Sequence, residues 1–214
     1  MLFGLFVFLL VGIAIGLDTG ATSPGTVEVD AGIYPWSNKD NIKASDNAYA
    51  SCSERSGDYI IASNFGFSIP EGNVIDGVKV SIERKADIND PGGDGAVDDE
   101  YLYLQKAGTP GGDNKAAADN WWTISDTTAD YGGDSDLWGL TLSESDVENS
   151  GFGVRLQLGS GGGDQAASGL VDHITMTVYY SEEAPPTPPQ LNITSISKTS
   201  KLIIKKGGML TISK

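Results

Sequence analysis

Between Asn64 and Ala86 the chain reads NFGFSIPEGNVIDGVKVSIERKA, and its apolar residues fall on every second position. Phe65, Phe67 and Ile69 alternate with small or polar residues, and Val78, Val80 and Ile82 alternate with Lys79, Ser81 and Glu83. A period of two belongs to a strand with one buried and one wet face; a helix would repeat its apolar residues at three and four. Between the two runs, Pro70-Glu71-Gly72-Asn73 is turn chemistry, because proline presets φ while glycine and asparagine tolerate positive φ. The stretch therefore predicts antiparallel strands joined by a tight connection, and it contains no catalytic constellation.

The same pattern recurs along the chain. It predicts strands near Thr26–Val29, Ala48–Ser53, Tyr59–Ser68, Val74–Lys85, Glu100–Ala107, Trp121–Ser125, Gly151–Leu158 and Leu170–Ser181. Phe152, Val154, Leu156 and Leu158 form one inward face, and Ile174, Met176, Val178 and Tyr180 form another. Phe67, Val80 and Ile82 join Val154, Leu156, Ile174, Met176 and Val178 in the expected core. The 28 glycines and scarce helical periodicity agree with an all-β fold. The expected architecture is a two-sheet antiparallel β-sandwich of jelly-roll type. One helical turn is expected within Thr141–Asn149, with Ser143 as its cap.

Segments flank this domain, expected to span residues 26–183. Residues 1–17 are apolar, short for a bilayer span of about 20 residues. They suit a signal-peptide core, with Ala14 and Gly16 as the small residues of a cleavage site, or else a retained anchor or assembly segment. Residues 184–190 (APPTPPQ) form a stiff proline-rich linker. Residues 191–214 hold two apolar runs around a Lys-Gly-Gly turn, which reads as a basic β-hairpin. Such a hairpin is marginal alone, so its apolar face, Leu191, Ile193, Leu202, Ile204, Leu210 and Ile212, together with Lys205 and Lys206, is the candidate assembly surface. The expected partner is an adjacent copy of the chain, in a homo-oligomer or polymer.

Charge excludes some function classes. The chain carries 14 basic and 29 acidic residues, a net −15, which argues against a nucleic-acid partner because phosphate binding needs clustered Lys and Arg. From Ala184 onward five lysines stand with no Asp or Glu, so a +5 tail follows a body of nine basic and 29 acidic residues, or −20. One cysteine, Cys52, excludes an intrachain disulfide and a cysteine-based zinc site. An extracellular location is expected, at a cell surface or in a virion, with contact to membrane solely through a retained amino-terminal segment.

Catalytic chemistry finds little material. His173 is the single histidine, and its neighbour Asp172 points to the opposite face of a strand, so the two form no dyad. No Gly-x-Ser-x-Gly elbow is present. The acids crowd Gly/Asp-rich turns rather than apolar strands, where a raised pKa would arise. A non-enzyme is expected.

Two binding chemistries remain. Asp87, Asn89, Asp90, Asp94, Asp98 and Asp99 are hard oxygen donors in one acidic segment, a Ca²⁺ candidate, against the reading of an ordinary solvated turn. The aromatic residues Trp121, Trp122 and Trp138, with Trp36, Tyr101 and Tyr103, could stack sugar rings; Trp121 and Trp122 must face opposite sides of a strand, so one of the two is expected in the core.

The strings WSNKDNIKASDNAYA, ASNFGFSIPEGNVIDGVKVSIERKA, YGGDSDLWGLTLSESDVENSGFGVRL and VDHITMTVYY together resemble an uncharacterised β-sandwich domain of phage and other virion proteins and of secreted microbial surface proteins. The resemblance runs from about Ile33 to Ser181. It implies a structural or adhesive module without catalytic residues. The leading expectation is a structural subunit of an extracellular assembly, a virion or surface filament; the alternative is a secreted or anchored carbohydrate-binding or adhesion module.

Overall fold

The computed structural model describes residues 16–30, 35–52, 58–89, 96–117, 120–161, 167–183, 201–204 and 210–213. Residues 16–183 of this set build a two-sheet antiparallel β-sandwich. One sheet holds β1 (Leu17–Asp18), β3 (Ala50–Cys52), β5 (Asn73–Ala86), β8 (Thr127–Gly132) and β10 (Gly169–Glu182), in the order β1-β10-β5-β8 with β3 also on β10. The other holds β2 (Thr26–Val29), β4 (Ile60–Ser63), β6 (Ala96–Lys106), β7 (Thr109–Gly111) and β9 (Gly153–Gly161), in the order β2-β4-β9-β6-β7. They are called the β5 sheet and the β9 sheet below.

Register explains why these strands pair. Along β5 and β10, Val78 faces Val178, Val80 faces Met176 and Ile82 faces Ile174. In the β9 sheet, Leu156 lies between Ile60 and Leu102, and Val154 between Ala62 and Leu104. These residues are buried, and with Phe67, Phe152 and Leu158 they form a continuous core. Each large apolar side chain so buried contributes about 1.5–3 kcal/mol. A one-residue slip would turn the set to solvent, so the apolar pattern specifies the register.

Helix is confined, among the described residues, to a 3-10 turn at Lys39–Ile42 and to α1 (Glu144–Val147). Ser143 caps α1 as expected: its hydroxyl accepts from Asp146 N at 3.3 Å, while Asp146 Oδ2 accepts from Ser143 N at 2.9 Å. This reciprocal pair satisfies two amides that the helix leaves open. Glu144 and Glu148 then accept from Asn73 N and Ile69 N at 2.6 and 2.7 Å, tying α1 to the Pro70–Asn73 turn.

Several expectations change. Trp121–Ser125 is not a strand; β8 begins at Thr127 instead. β4 ends at Ser63, because Asn64 and Gly66 take left-handed φ of 56° and 72°. Phe65, Phe67 and Ile69 are still buried, so their alternation comes from a loop that turns every other side chain inward. Leu17, read as the end of the apolar segment, sits in β1 opposite Tyr180, and Thr22 bridges Met176, so the domain starts before residue 26.

Residues 184–214 form a separate compact unit. Within it, β11 (Lys201–Ile204) and β12 (Leu210–Ser213) pair antiparallel, with Leu202 opposite Ile212 and Ile204 opposite Leu210. Leu191, Ile193, Lys205 and Lys206 lie outside the described residues, as do residues 1–15.

Candidate functional site

The inward residues of the β9 sheet fix what its outer face displays. With Ile60, Leu102, Leu104, Val154 and Leu156 buried, alternation turns Ile61, Tyr103 and Arg155 outward, with Arg155 directly opposite both Ile61 and Tyr103. A bulge in β6 extends the face. Asp99 pairs with Leu158 and Tyr101 with Gln157, which leaves Glu100 as an extra residue. The bulge lets Asp99 point into the core while Tyr101, two residues on, points out.

Three tyrosines meet there. The Tyr101 and Tyr103 rings lie 6.0 Å apart and nearly parallel at 15°, and Tyr59 is 6.4 Å from Tyr101 at 40°. The β6–β7 hairpin folds back over a two-residue loop, Ala107-Gly108, with φ of 49° and 80°. Two positive φ values give the tight turn whose twist matches the strands. That turn sets Pro110 and Gly111 beside Tyr103, and Tyr59, Tyr103, Pro110, Gly111 and Arg155 line an open cleft of about 370 Å³.

Arg155 anchors the cleft. Its guanidinium lies 4.8 Å from the Tyr59 ring centre and is ion-paired through Nη2 to Asp30. Its Nε is buried without a hydrogen-bond partner. Burial raises the Tyr59 hydroxyl's pKa, reinforced by the nearby Tyr103, Tyr101 and Glu100 and opposed by Arg155. The phenol therefore stays neutral at physiological pH and can both donate and accept.

The expected tryptophan platform does not form. Trp122 and Trp138 are 2% and 0% exposed. Trp122 Nε1 donates to Asp99 Oδ1 at 3.0 Å, and Trp138 Nε1 donates to the Val78 carbonyl at 2.9 Å. Rings so enclosed offer no face to a sugar; their indole N–H groups anchor the core. Trp36 is buried as well, and Trp121 is half-buried outside the cleft lining. Tyr101 and Tyr103, named with the tryptophans, are on the outer face. Tyr59 and Arg155 are functional positions that the sequence pattern does not single out, although each adjoins or interrupts an apolar run (DYIIAS, GVRLQL) at an outward position.

The acidic segment is divided. Ala96–Asp99 is strand rather than loop, and Asp98 and Asp99 are buried. The Asp99 carboxylate takes hydrogen bonds from Arg84, Trp122 and Tyr131, so its oxygens are turned to protein donors in the core. Asp87 Oδ1 accepts from Ser168 N at 2.6 Å, Asn89 is exposed, and Asp90 and Asp94 lie outside the described residues. Among the described residues no group of three or more His, Cys, Asp or Glu could hold a metal ion.

His173 Nε2 lies 2.8 Å from Ser23 Oγ on the surface. Asp172 is buried and receives the amides of Asp46 and Asn47 at 3.4 and 3.1 Å. It orders the Asp46–Asn47 backbone rather than His173.

No protein-family model matches the chain, and no curated protein does. Among solved structures, it is similar to the CBM22-1 xylan-binding domain of Xyn10C from Paenibacillus barcinonensis, at 12% identity and TM-score 0.39, over 81% of this chain and all of that one. It is also similar to the xylan-binding module CBM15, at 10% identity and TM-score 0.33, over 80% and 99% of the two chains. A third is the family 11 carbohydrate-binding module of Lic26A-Cel5E from Clostridium thermocellum, at 13% identity and TM-score 0.31, over 78% and 89%. Scores of this size identify neither a family nor a ligand.

Proposed function

We propose that the chain is a non-catalytic carbohydrate-binding module, acting outside the cell, whose site is the tyrosine cleft on the outer face of the β9 sheet. The observation that carries this reading is the convergence of Tyr59 and Tyr103 with Pro110 and Arg155 around one open cleft, with the Tyr101 ring stacked on that of Tyr103. A sugar ring is amphipathic: its C–H faces pack on aromatic rings while its rim of hydroxyls seeks hydrogen bonds. Tyr103 and Pro110 supply apolar walls, the Tyr59 hydroxyl is neutral, and the Arg155 guanidinium is the one charged group of the lining. A largely preformed concavity with a few convergent polar groups is the usual form of such sites.

The experiment is calorimetric titration of the full chain with a panel of soluble polysaccharides, repeated with Tyr103→Ala and Tyr101→Ala. Each substitution should weaken binding about tenfold, near 1.4 kcal/mol. Unchanged affinity in both variants would remove the cleft from the binding surface.

The structural-subunit reading draws no support from the described residues or from the similar structures.

A further inference from the structure

Among the residues lining the cleft, Arg155 alone carries positive charge. A free guanidinium would favour a carboxylated sugar, because its planar fork matches a carboxylate with two parallel hydrogen bonds. Here one arm of the fork is already engaged. Nη2 of Arg155 is ion-paired to Asp30, whose amide is fixed by the Tyr59 carbonyl at 3.1 Å. One face of the guanidinium lies against the Tyr59 ring. The Arg155 side chain is only 14% exposed whereas that of Asp30 is 46% exposed, so a ligand approaching from solvent meets the acid before the base.

The surroundings reinforce this. Glu28, two residues before Asp30, is exposed, and the negative charge of Glu100 is felt at the Tyr59 hydroxyl. Glu28, Asp30 and Glu100 thus outnumber the single arginine.

We infer that Asp30 is a charge gate: by occupying the Arg155 guanidinium it makes the cleft select uncharged sugars and reject carboxylate-bearing ones. This rests on the carbohydrate-binding reading and deepens it, naming the ligand's charge class and a residue that sets it.

The test uses matched pairs of polymers that share a backbone and differ in charge: hydroxyethylcellulose with carboxymethylcellulose, and fully methyl-esterified polygalacturonate with polygalacturonate. Binding is measured calorimetrically at low ionic strength with the full chain, Asp30→Asn and Glu28→Gln. In the unsubstituted chain the neutral member of at least one pair should bind and its carboxylated partner should bind about tenfold weaker. Asp30→Asn should narrow that ratio at least about fivefold, through tighter binding of the carboxylated polymer, and Glu28→Gln should narrow it by less. Equal binding of the two members by the unsubstituted chain overturns the gate and leaves the carbohydrate reading standing. So does an unchanged ratio in Asp30→Asn, or an equal shift in Glu28→Gln. Failure of every polymer in both charge classes to bind overturns both readings. Because the comparison in the unsubstituted chain decides by itself, misfolding of a variant would not shield the inference.

Discussion

Asp99 has no exposure to solvent, yet it sits in a core built mainly from aliphatic and aromatic side chains. It is tolerable there because three donors converge on it: the Arg84 guanidinium, the Trp122 indole N–H and the Tyr131 hydroxyl. Arg84 is itself sandwiched, 4.5 Å from the Trp122 ring centre and 5.6 Å from that of Tyr131. A buried charge with all its partners is neutral to stability at best, but removing one partner strands the rest. Tyr131→Phe should therefore cost about 1–3 kcal/mol. It should also change the response to alkali. Burial, then the adjacent Asp99 charge, raises the Tyr131 pKa well above the ordinary tyrosine range. In the unfolded chain the phenol ionises near pH ~10; in the folded chain it keeps its proton. Its contribution is fully present below about pH 10 and is lost as pH climbs toward the folded-state pKa, by about 1.4 kcal/mol per pH unit, since the unfolded state then binds fewer protons. Urea midpoints at about pH 9 and about pH 11 should fall less steeply in Tyr131→Phe. Equal falls would show that this proton is not coupled to folding.

At the scale of elements, the β6 bulge lets the strand carry Glu100 while Asp99 faces the core and Tyr101 the outer face. Ordinary alternation would put Asp99 and Tyr101 on one face; the extra Glu100 puts them on opposite faces. Deleting Glu100 should consequently be tolerated, because Asp99 and Tyr101 become direct neighbours and alternate as they already do. Deleting Tyr103, one turn of the pleat away, would reverse the facing of every residue on one side of the deletion and expose Leu102 or Leu104. The expected result is a cooperative melt and retained polysaccharide binding for the Glu100 deletion, and loss of folding for the Tyr103 deletion; equal damage from both would contradict the bulge. This device was not legible in the sequence. The long central strands were, because Val78–Ile82, Val154–Leu158 and Ile174–Val178 alternate without interruption. Trp121–Ser125 failed as a strand because β-propensity says that a residue suits a pleated surface, not that a neighbouring strand is present. The buried Phe65, Phe67 and Ile69 follow the right period with left-handed residues between them, which no ladder accommodates.

At the scale of the molecule, the two-sheet sandwich followed from period-two patterning, whereas the site depended on which aromatics point outward. Tryptophan is the strongest sugar-stacking side chain on a list, yet its size makes it equally the strongest core filler, and the core took Trp36, Trp122 and Trp138. Tyrosine, with a polar tip, was left for the outer face. The same reasoning separates the tail from the site. Among the described residues, those that line the cleft fall between Tyr59 and Arg155, and the buried sandwich core between Val27 and Val178. Residues 184–214 hold five lysines and no acid, and make a compact unit of their own. A chain ending at Glu183 should thus keep the full core, melt with a free energy within about 0.5 kcal/mol of the full chain, and bind polysaccharide with the same affinity. Its net charge would move from −15 to −20, so any self-association that the full chain shows at low salt through its basic tail should vanish on truncation, and should weaken in the full chain as salt rises. Calorimetry and sedimentation of the two chains, side by side, decide it: lost polysaccharide binding on truncation would place part of the site in the tail, and undiminished self-association would place the contact on the sandwich itself.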